Sequence, residues 1–240
     1  MDLESSMLED LSFVTLKQVA KNMNVKIRRS RTDLLVDIHN EINNHRKGIY
    51  TIGKRLGSPG KEGITYLATA SNGEDFAVKT FRRGKSVDRM CREARLQEMA
   101  ASEGAAPSIV DIDTEMKRIY MEKMDRHLLH VMEKQGNCLT PLQQKQILKL
   151  YKSLDKAKVF HGDVNIYNYM YRGKRLYMID YGIAKEINRS LIRELGTKTP
   201  NMDIMTLGLI LKLKEMGYSP SSYDLLKTYI NPKHIARFKI

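Results

Sequence analysis

The spacing of apolar residues divides the chain into a helical start, a group of strands and a mostly helical remainder. Up to about residue 46, apolar residues recur three and four positions apart, as on the buried face of a helix; the first such set is Leu16, Val19, Ala20 and Met23. Ser30 predicts the start of a second helix, because serine is a strong N-cap residue. From Gly48 the pattern changes to short strand-forming runs, IYTIGKRL, GITYLATA and DFAVKTF.

The rest of the chain returns mainly to helical spacing. A helix is predicted from Ser86 to near Gly104, followed by a strand over residues 118–124. The sequence TPLQ at Thr140 combines a capping box with a first-turn proline, which predicts a further helix. The apolar run MTLGLILKL predicts another buried helix.

These elements predict an α+β fold with a small helical module in front of a two-lobed domain. We place the helical module at residues 1–47 and the domain at residues 48–240. The sheet belongs to a first lobe over about 48–124, and the helical lobe covers about 125–240.

Composition agrees with a globular protein and adds a strong positive charge. The 240 residues are 42% hydrophobic and carry a net charge of +13. Most of the basic excess lies in residues 48–240, with 33 Lys and Arg against 21 Asp and Glu. This excess favours polyanionic partners such as nucleotide phosphates, RNA or acidic protein surfaces, although a solvated basic surface explains it equally.

Neither a membrane anchor nor a disulfide framework is expected. No apolar run is long enough to span a bilayer, and the acidic start MDLESSMLED lacks the order of a signal peptide. Cys91 and Cys138 lack metal-ligand spacing, so we expect two reduced thiols. The sequence therefore predicts an intracellular protein of the cytoplasm or nucleus.

The stretch HGDVNIYNYMYRGKRLYMIDYG, residues 161–182, gathers oxygen-bearing side chains around a predicted hairpin. RGK is a turn signal between two short strand-forming runs. A hairpin would bring Asp180 back towards Asp163 and Asn168. Two carboxylates and an amide are ligands that suit Mg²⁺, which commonly shares them with substrate phosphates.

Two further features upstream suit phosphate binding. The run LGSPGKEGITY holds three glycines whose backbone amides can approach phosphate oxygens, Gly57, Gly60 and Gly63. Lys79 lies on the following predicted strand and Glu93 on the following predicted helix. A lysine on a strand can contact phosphates when a helix glutamate holds it in place.

In their order along the chain, these motifs resemble the protein kinase superfamily. The resemblance covers residue 48 to about residue 215. It implies that Lys79 contacts the α- and β-phosphates of ATP and pairs with Glu93, while the glycine loop covers the phosphates. It also implies that Asp163 orients or deprotonates the acceptor hydroxyl, and that Asn168 and Asp180 bind Mg²⁺.

The same resemblance assigns an adenine site and two structural residues. YMEKMD is similar to the hinge strand, which implies that Met121 is the gatekeeper and that the backbone from Glu122 to Met124 contacts adenine. Asp203 resembles the buried aspartate that braces the catalytic loop. His161 is expected to be structural, through hydrogen bonds to backbone groups.

Several motifs differ from those of typical protein kinases and point to particular branches of the superfamily. GKEG in the glycine loop, and HGD in place of HRD, look like the RIO family and the small kinase of the tRNA-modifying KEOPS complex. Asn165 stands where most Ser/Thr kinases carry a lysine, and Glu98 is an alternative to Glu93. Only 20 residues separate Gly182 from Asp203, so a short activation segment is expected and phosphorylation of a small molecule stays open.

The N-terminal segment resembles a SAP motif, a helix–extended–helix unit often associated with DNA. The resemblance implies DNA contact by a basic cluster, Lys17, Lys21, Lys26, Arg28, Arg29 and Arg31. A generic helical hairpin with a solvated basic face fits the same residues.

Three functions follow from this sequence. The leading one is an ATP- and Mg²⁺-dependent Ser/Thr protein kinase with a protein substrate, recruited to DNA by its N-terminal module. The second is a nucleic-acid-binding scaffold that retains a degenerate kinase fold. The third is a small-molecule kinase or an ATPase.

Overall fold

The computed structural model describes residues 8, 10–232, 236 and 238, and for residues 40 and 42–49 it describes the backbone alone. The helices are α1 (Phe13–Asn22), α2 (Arg31–Ile49), α3 (Val87–Ser102), α4 (Leu128–Lys134), α5 (Pro141–Lys156), α6 (Arg189–Leu195), α7 (Thr206–Glu215) and α8 (Asp224–Lys227). The strands are β1 (Tyr50–Arg55), β2 (Gly63–Ala70), β3 (Asp75–Phe81), β4 (Ile109–Asp113), β5 (Arg118–Glu122), β6 (Arg126–His127), β7 (Val159–Phe160), β8 (Tyr169–Arg172), β9 (Arg175–Met178) and β10 (Lys185–Glu186).

The chain divides into two compact units, and the predicted α+β fold class is confirmed. One unit comprises the chain up to Cys91 together with Val110–Glu122, and the other comprises Arg92–Ile109 and the chain from Lys123 onward. Among the described residues, no helix combines the length and apolar composition needed to cross a membrane.

The first unit is built on a five-stranded sheet in the order β1-β2-β3-β5-β4. Strands β2 and β3 pair antiparallel across a turn at residues 71–74, with Gly63 opposite Phe81. The central residues of this sheet pack around Val78, which is fully buried, and Tyr50 stacks on Tyr120 with ring centroids 4.3 Å apart. Burial of these aromatic and aliphatic groups is the main stabilising contribution to the sheet.

Helices α1 and α2 share a separate apolar cluster, whose buried members are Leu16, Ala20, Leu34, Leu35 and Ile38. Ser12 and Ser30 cap the two helices by accepting from the backbone N–H three residues on, so the predicted cap at Ser30 is confirmed. Helix α2 continues to Ile49, whereas the sequence placed the change to strand at Gly48. Strand β1 begins only at Tyr50, where its pairing with β2 also begins.

The second unit packs its core around α5, the helix predicted from the capping box at Thr140. The Thr140 hydroxyl accepts from the backbone N–H of Gln143, and the Gln143 side chain accepts from the backbone N–H of Thr140. The buried face of α5 meets the three-stranded sheet β6-β8-β9 and helix α7 within one cluster, which includes Leu148, Tyr169 and Leu209. These elements fix the two ends of the segment that holds HGD and DYG.

Gly63 is required by the sheet itself. A Cβ on this residue would overlap the backbone carbonyl of Thr80 on the neighbouring strand. Gly84, by contrast, has open space around its Cα and an ordinary φ.

Gly63→Ala should therefore destabilise the protein by about 1–3 kcal/mol, because strand β3 must move away to make room. Gly84→Ala is the matched control and should change stability by no more than about 0.5 kcal/mol. Urea unfolding of both variants measures the difference. Equal stabilities would show that the sheet accommodates the extra methyl group.

Candidate active site

The predicted site residues fall in both units. The first unit holds the glycine loop, Lys79, Met121 and Glu122, and the second holds Glu93, Met124 and the HGD and DYG segments. In the first unit, Lys79 is buried in β3, where it lies between Thr65 of β2 and Ile119 of β5. Its ammonium group is 5.1 Å from the ring centroid of Phe81 on the same face.

The glycine loop is a closed turn tethered to the end of β3. The backbone N–H of Gly60 donates to the carbonyl of Gly63 at 2.9 Å, and Gly57 adopts a φ of +75° that favours glycine. The Arg82 guanidinium donates to the Gly60 carbonyl at 3.1 Å, and Lys85 forms a half-buried ion pair with Glu62 at 2.7 Å. These tethers fix the base of the loop, whose tip residues are exposed.

The predicted hinge residues lie on either side of the end of strand β5. Met121 is buried in β5 opposite Ala77, and Glu122 pairs with Phe76. Strand β5 ends at Glu122, whereas the sequence extended it to residue 124. Met124 therefore lies in an irregular segment, which leaves its backbone outside the sheet pairing.

In the second unit, α3 is fastened to the segment after DYG. Arg92 donates to the carbonyl of Ala184 at 3.4 Å, and Arg95 pairs with Glu186 at 2.8 Å. Glu93 lies between these two arginines in sequence and is only 4% exposed. Glu98, the alternative, is half-buried, and burial raises its pKa.

His161 holds the HGD segment from inside the core. It is fully buried, its Nε2 donates to the Ile179 carbonyl at 3.1 Å, and its Nδ1 accepts from the backbone N–H of Asp163 at 3.4 Å. Burial lowers the pKa of His161, so the ring is neutral at pH 7 in the tautomer that these bonds require. The expected structural role of His161 is confirmed.

Asp163 is half-buried and set in a tight local turn. Its Oδ1 accepts from the backbone N–H of Asn165 at 3.0 Å, and Asn165 in turn accepts from Tyr167 at 3.2 Å. One carboxylate oxygen thus orients the side chain. This arrangement suits a base that must meet an acceptor hydroxyl at a fixed angle.

The predicted hairpin is present and returns the chain as expected. Strands β8 and β9 pair with Tyr169 opposite Met178, and Gly173 turns the chain with a φ of +58°. One step beyond, the backbone N–H of Ile179 donates to the carbonyl of Asn168 at 2.9 Å. Asp180 therefore follows directly from a residue bonded to Asn168.

The donor chemistry at this hairpin end fits Mg²⁺. The Asn168 amide is buried, and its Nδ2 has no hydrogen-bond partner among the described residues. A half-turn of that amide would present its oxygen instead, at the hairpin end that also carries the exposed residue Asp180. Within the described ranges there is no group of three or more His, Cys, Asp or Glu placed to hold a metal. Phosphate oxygens would supply the remaining ligands.

The backbone of Asp180 is strained. Its φ is +68°, a left-handed conformation that non-glycine residues seldom adopt. Such strain costs on the order of 1 kcal/mol and is concentrated at functional positions.

A buried Asp155–Asn201 pair, rather than Asp203, braces the loop that carries HGD. The Asn201 side chain accepts from the backbone N–H of His161 at 3.1 Å and donates to the Val159 carbonyl at 2.7 Å. Asp155 accepts from the backbone and side chain of Asn201 at 3.0 and 2.7 Å. The prediction for Asp203 is wrong: its side chain is exposed and accepts from Thr197 and Thr199.

The physical reason for this difference is a π-helical turn over Asn201–Met205 ahead of α7, closed by a bond from the Thr206 N–H to the Asn201 carbonyl. The wider turn directs Asn201 inward and Asp203 outward. Sequence reasoning missed the pair, although Asp155 gave a signal. It is an acidic residue at helical spacing from Leu148 and Tyr151, on the buried face of α5.

The N-terminal basic residues have different surroundings. Arg28 pairs with Asp37 at 2.5 Å, Arg31 donates to the Leu11 carbonyl at 3.2 Å, and Lys17 lies over the ring of Phe13. Lys21, Lys26 and Arg29 are exposed, and no ion pair or hydrogen bond of their side chains occurs in the described part of the chain.

Residues 91–195 match the RIO domain family. The predicted resemblance to RIO-type kinases is confirmed. The matched stretch takes in Glu93, Asp163, Asn168 and Asp180 and begins after Lys79. A RIO-type domain is kinase-like, and ATP with Mg²⁺ is the cofactor pair that it indicates.

Curated relatives match about half of the chain. Two are probable bifunctional tRNA threonylcarbamoyladenosine biosynthesis proteins, from Methanosarcina barkeri (28% identical over 135 residues) and Methanosarcina acetivorans (30% over 144 residues). These alignments cover 52% and 55% of this chain and 24% of each relative. The chain thus spans about a quarter of the length of the curated relatives it matches.

Asn201→Ala should destabilise the protein by about 3 kcal/mol, because it leaves the N–H of His161 and part of the Asp155 carboxylate unsatisfied in the core. Asn188→Ala is the matched control, since it removes an exposed cap of α6 and should cost about 1 kcal/mol. Urea unfolding and hydrogen exchange of the His161 amide measure both effects. Equal losses, with unchanged exchange at His161, would refute the brace.

Proposed function

We propose that the chain is an ATP- and Mg²⁺-dependent kinase that transfers the γ-phosphoryl group to serine or threonine hydroxyls of a protein. The observation that carries this proposal is the hairpin end, where the Asn168 amide nitrogen has no hydrogen-bond partner among the described residues. The backbone of Asn168 is bonded there to Ile179, the residue before Asp180. Asp163, five residues before Asn168 and held by Asn165, supplies the third oxygen-bearing group.

Each residue has a distinct task in the transfer. The bond between the γ-phosphorus and its bridging oxygen breaks as a bond to the acceptor oxygen forms, and Asp163 takes the hydroxyl proton. Asn168 and Asp180 hold Mg²⁺, which when bound neutralises phosphate charge. His161 and the Asp155–Asn201 pair keep Asp163 in place without touching the reactants.

The first unit contributes nucleotide contacts in this proposal. Lys79 contacts the α- and β-phosphates, and the resemblance to kinases implies Glu93 as its partner. Backbone amides of the loop around Gly57, Gly60 and Gly63 cover the phosphates. The burial of Lys79 supports this assignment, since a buried ammonium group needs an anionic partner. Met121 borders the adenine, whose edge bonds to the backbone between Glu122 and Met124.

The N-terminal helices recruit this kinase to DNA. Support comes from Lys21, Lys26 and Arg29, whose exposed ammonium and guanidinium groups are available for phosphates. Arg28 and Arg31 must exchange their present partners for phosphates, because they already bond to Asp37 and Leu11.

A second candidate is an ATPase or kinase that acts within a tRNA-modifying assembly. The names of the Methanosarcina relatives favour it, together with the KEOPS-like GKEG and HGD motifs. It uses the same nucleotide site but hydrolyses ATP, or phosphorylates another acceptor. A scaffold without catalysis is the third alternative.

Asp180→Asn should remove the Mg²⁺-dependent part of ATP affinity, at least about tenfold, because a neutral amide is a poorer ligand than a carboxylate. Asparagine also tolerates a positive φ, so this variant tests the ligand without adding backbone strain, whereas alanine would confound the two. Calorimetry with ATP, in Mg²⁺ and in chelator, measures the effect. Asp224→Asn, at an exposed carboxylate of α8, is the control. Equal Mg·ATP affinity in wild type and Asp180→Asn would overturn the metal assignment.

Asp163→Asn should lower phosphoryl transfer by on the order of 10²-fold or more, because the proton acceptor is lost. The asparagine oxygen can still accept from the N–H of Asn165, so the local turn should persist. Nucleotide binding should therefore be unchanged. Labelled ATP with generic protein acceptors, followed by phosphoamino-acid analysis, should show phosphoserine or phosphothreonine.

The same assay separates the alternatives. ATP hydrolysis without transfer to protein would favour the second candidate. Neither hydrolysis nor transfer, with ATP still bound, would favour the scaffold. Undiminished transfer by Asp163→Asn would refute the role of Asp163.

A further inference from the structure

Helix α5 carries a line of lysines along its exposed side. They recur four, three and four residues apart, at Lys145, Lys149, Lys152 and Lys156, and all four are exposed. At 100° per residue this spacing keeps them within about 60° of one another around the helix. The opposite side of α5 is buried in the core of the second unit.

Few acidic residues are placed to neutralise these lysines. The only acidic residue of α5 is Asp155, which is buried and bonded to Asn201. Glu103 pairs with Lys156 at 2.7 Å and neutralises that end. Among the described residues, neither Lys145 nor Lys149 has an ion pair. We call Lys145, Lys149 and Lys152 the lysine stripe.

The β8–β9 hairpin adds further positive charge beside the stripe. Gln146 donates to the carbonyl of Lys174 at 2.9 Å and accepts from the hydroxyl of Tyr171 at 2.9 Å. The turn of the hairpin is therefore anchored next to Lys145, with the exposed side chains of Arg172 and Lys174. Asp125, which accepts from the N–H of Gly173 at 2.6 Å, is the carboxylate at this turn.

An exposed aromatic ring lies at the other end of the stripe. The ammonium group of Lys152 is 5.2 Å from the ring centroid of Tyr229, and this tyrosine is 43% exposed. Basic groups beside an accessible aromatic ring are the combination that binds unpaired nucleotides, since the charges meet phosphates while the ring stacks on a base.

We infer that the lysine stripe binds the phosphate backbone of a single-stranded nucleic acid and that Tyr229 stacks on one of its bases. The three lysines span about 10 Å of helix axis. Over this length the long lysine side chains can each reach a separate phosphate of one extended strand. The exposed ring distinguishes this surface from the N-terminal helices, where Phe13 is partly buried against the apolar cluster of α1 and α2. The inference does not depend on the proposed kinase activity.

The test is binding of labelled single-stranded RNA and DNA 12-mers to the full chain, without nucleotide, at several salt concentrations. Changing Lys145, Lys149 and Lys152 together to glutamine should lower the log–log salt slope by about 2, at about 0.7 per lost contact with a single strand. The matched control removes three charges from α4 and α6, by Lys134→Gln, Arg189→Gln and Arg193→Gln, and should leave the slope unchanged.

Tyr229 provides a second, independent readout. Tyr229→Ala should weaken binding of the single strand at least about fivefold, whereas Tyr229→Phe keeps the ring and should bind like wild type. The RNA and DNA arms show which sugar the surface prefers, and either preference supports the inference.

Three outcomes would overturn it. One is a wild-type salt slope for the stripe variant. Another is loss of binding only when Arg28, Arg29 and Arg31 are changed to alanine, which would assign all nucleic-acid contact to the N-terminal helices. The third is competition by polyglutamate as strong as by RNA, with no effect of Tyr229→Ala, which would identify an acidic protein partner instead.

Discussion

The buried carboxylate of Asp155 is the group on which the position of the HGD segment depends. It accepts from the backbone N–H groups of Asn201 and Met202 and from the Asn201 side chain. Burial raises the pKa of Asp155, while these donors favour the charged form and oppose that rise. Because Asn201 is held in this way, its amide can satisfy both the N–H of His161 and the carbonyl of Val159. One desolvated group thus fixes the chain just before the HGD motif and at its first residue.

Within the segment from HGD to DYG, some residues are buried in the core and others are open to solvent. His161, Asn168 and Tyr169 are buried, and the hydroxyl of Tyr169 bonds to that of Tyr151 on α5. Asp163 and Asp180, the two carboxylates assigned to chemistry, retain access to solvent. The side chains that would meet a substrate are therefore carried on backbone that the core immobilises, which is the arrangement that a preorganised site requires.

Local sequence signals predicted most helices, strands and turns. Strand β4 and the orientation of Asp203 depend on tertiary structure, so the sequence alone did not reveal them. The cap at Ser30, the capping box at Thr140 and the turn at Gly173 each depend on a few neighbouring residues, so their sequences were sufficient. Strand β4, IVDID, was missed because alternating aspartates hide its strand pattern, and its place comes from the sheet. Asp203 was misplaced because motif matching assumes regular helical geometry, whereas a π-helical turn changes which residues face inward.

The left-handed backbone at Asp180 also bears on how such a chain can change over generations. Glycine or asparagine at this position would relieve the conformation or tolerate it equally well, and either would remove the carboxylate. A change to glycine would relieve the conformation and so favour folding. Under the proposed function the same change would remove a ligand of Mg²⁺, so stability and chemistry make opposite demands on this one position.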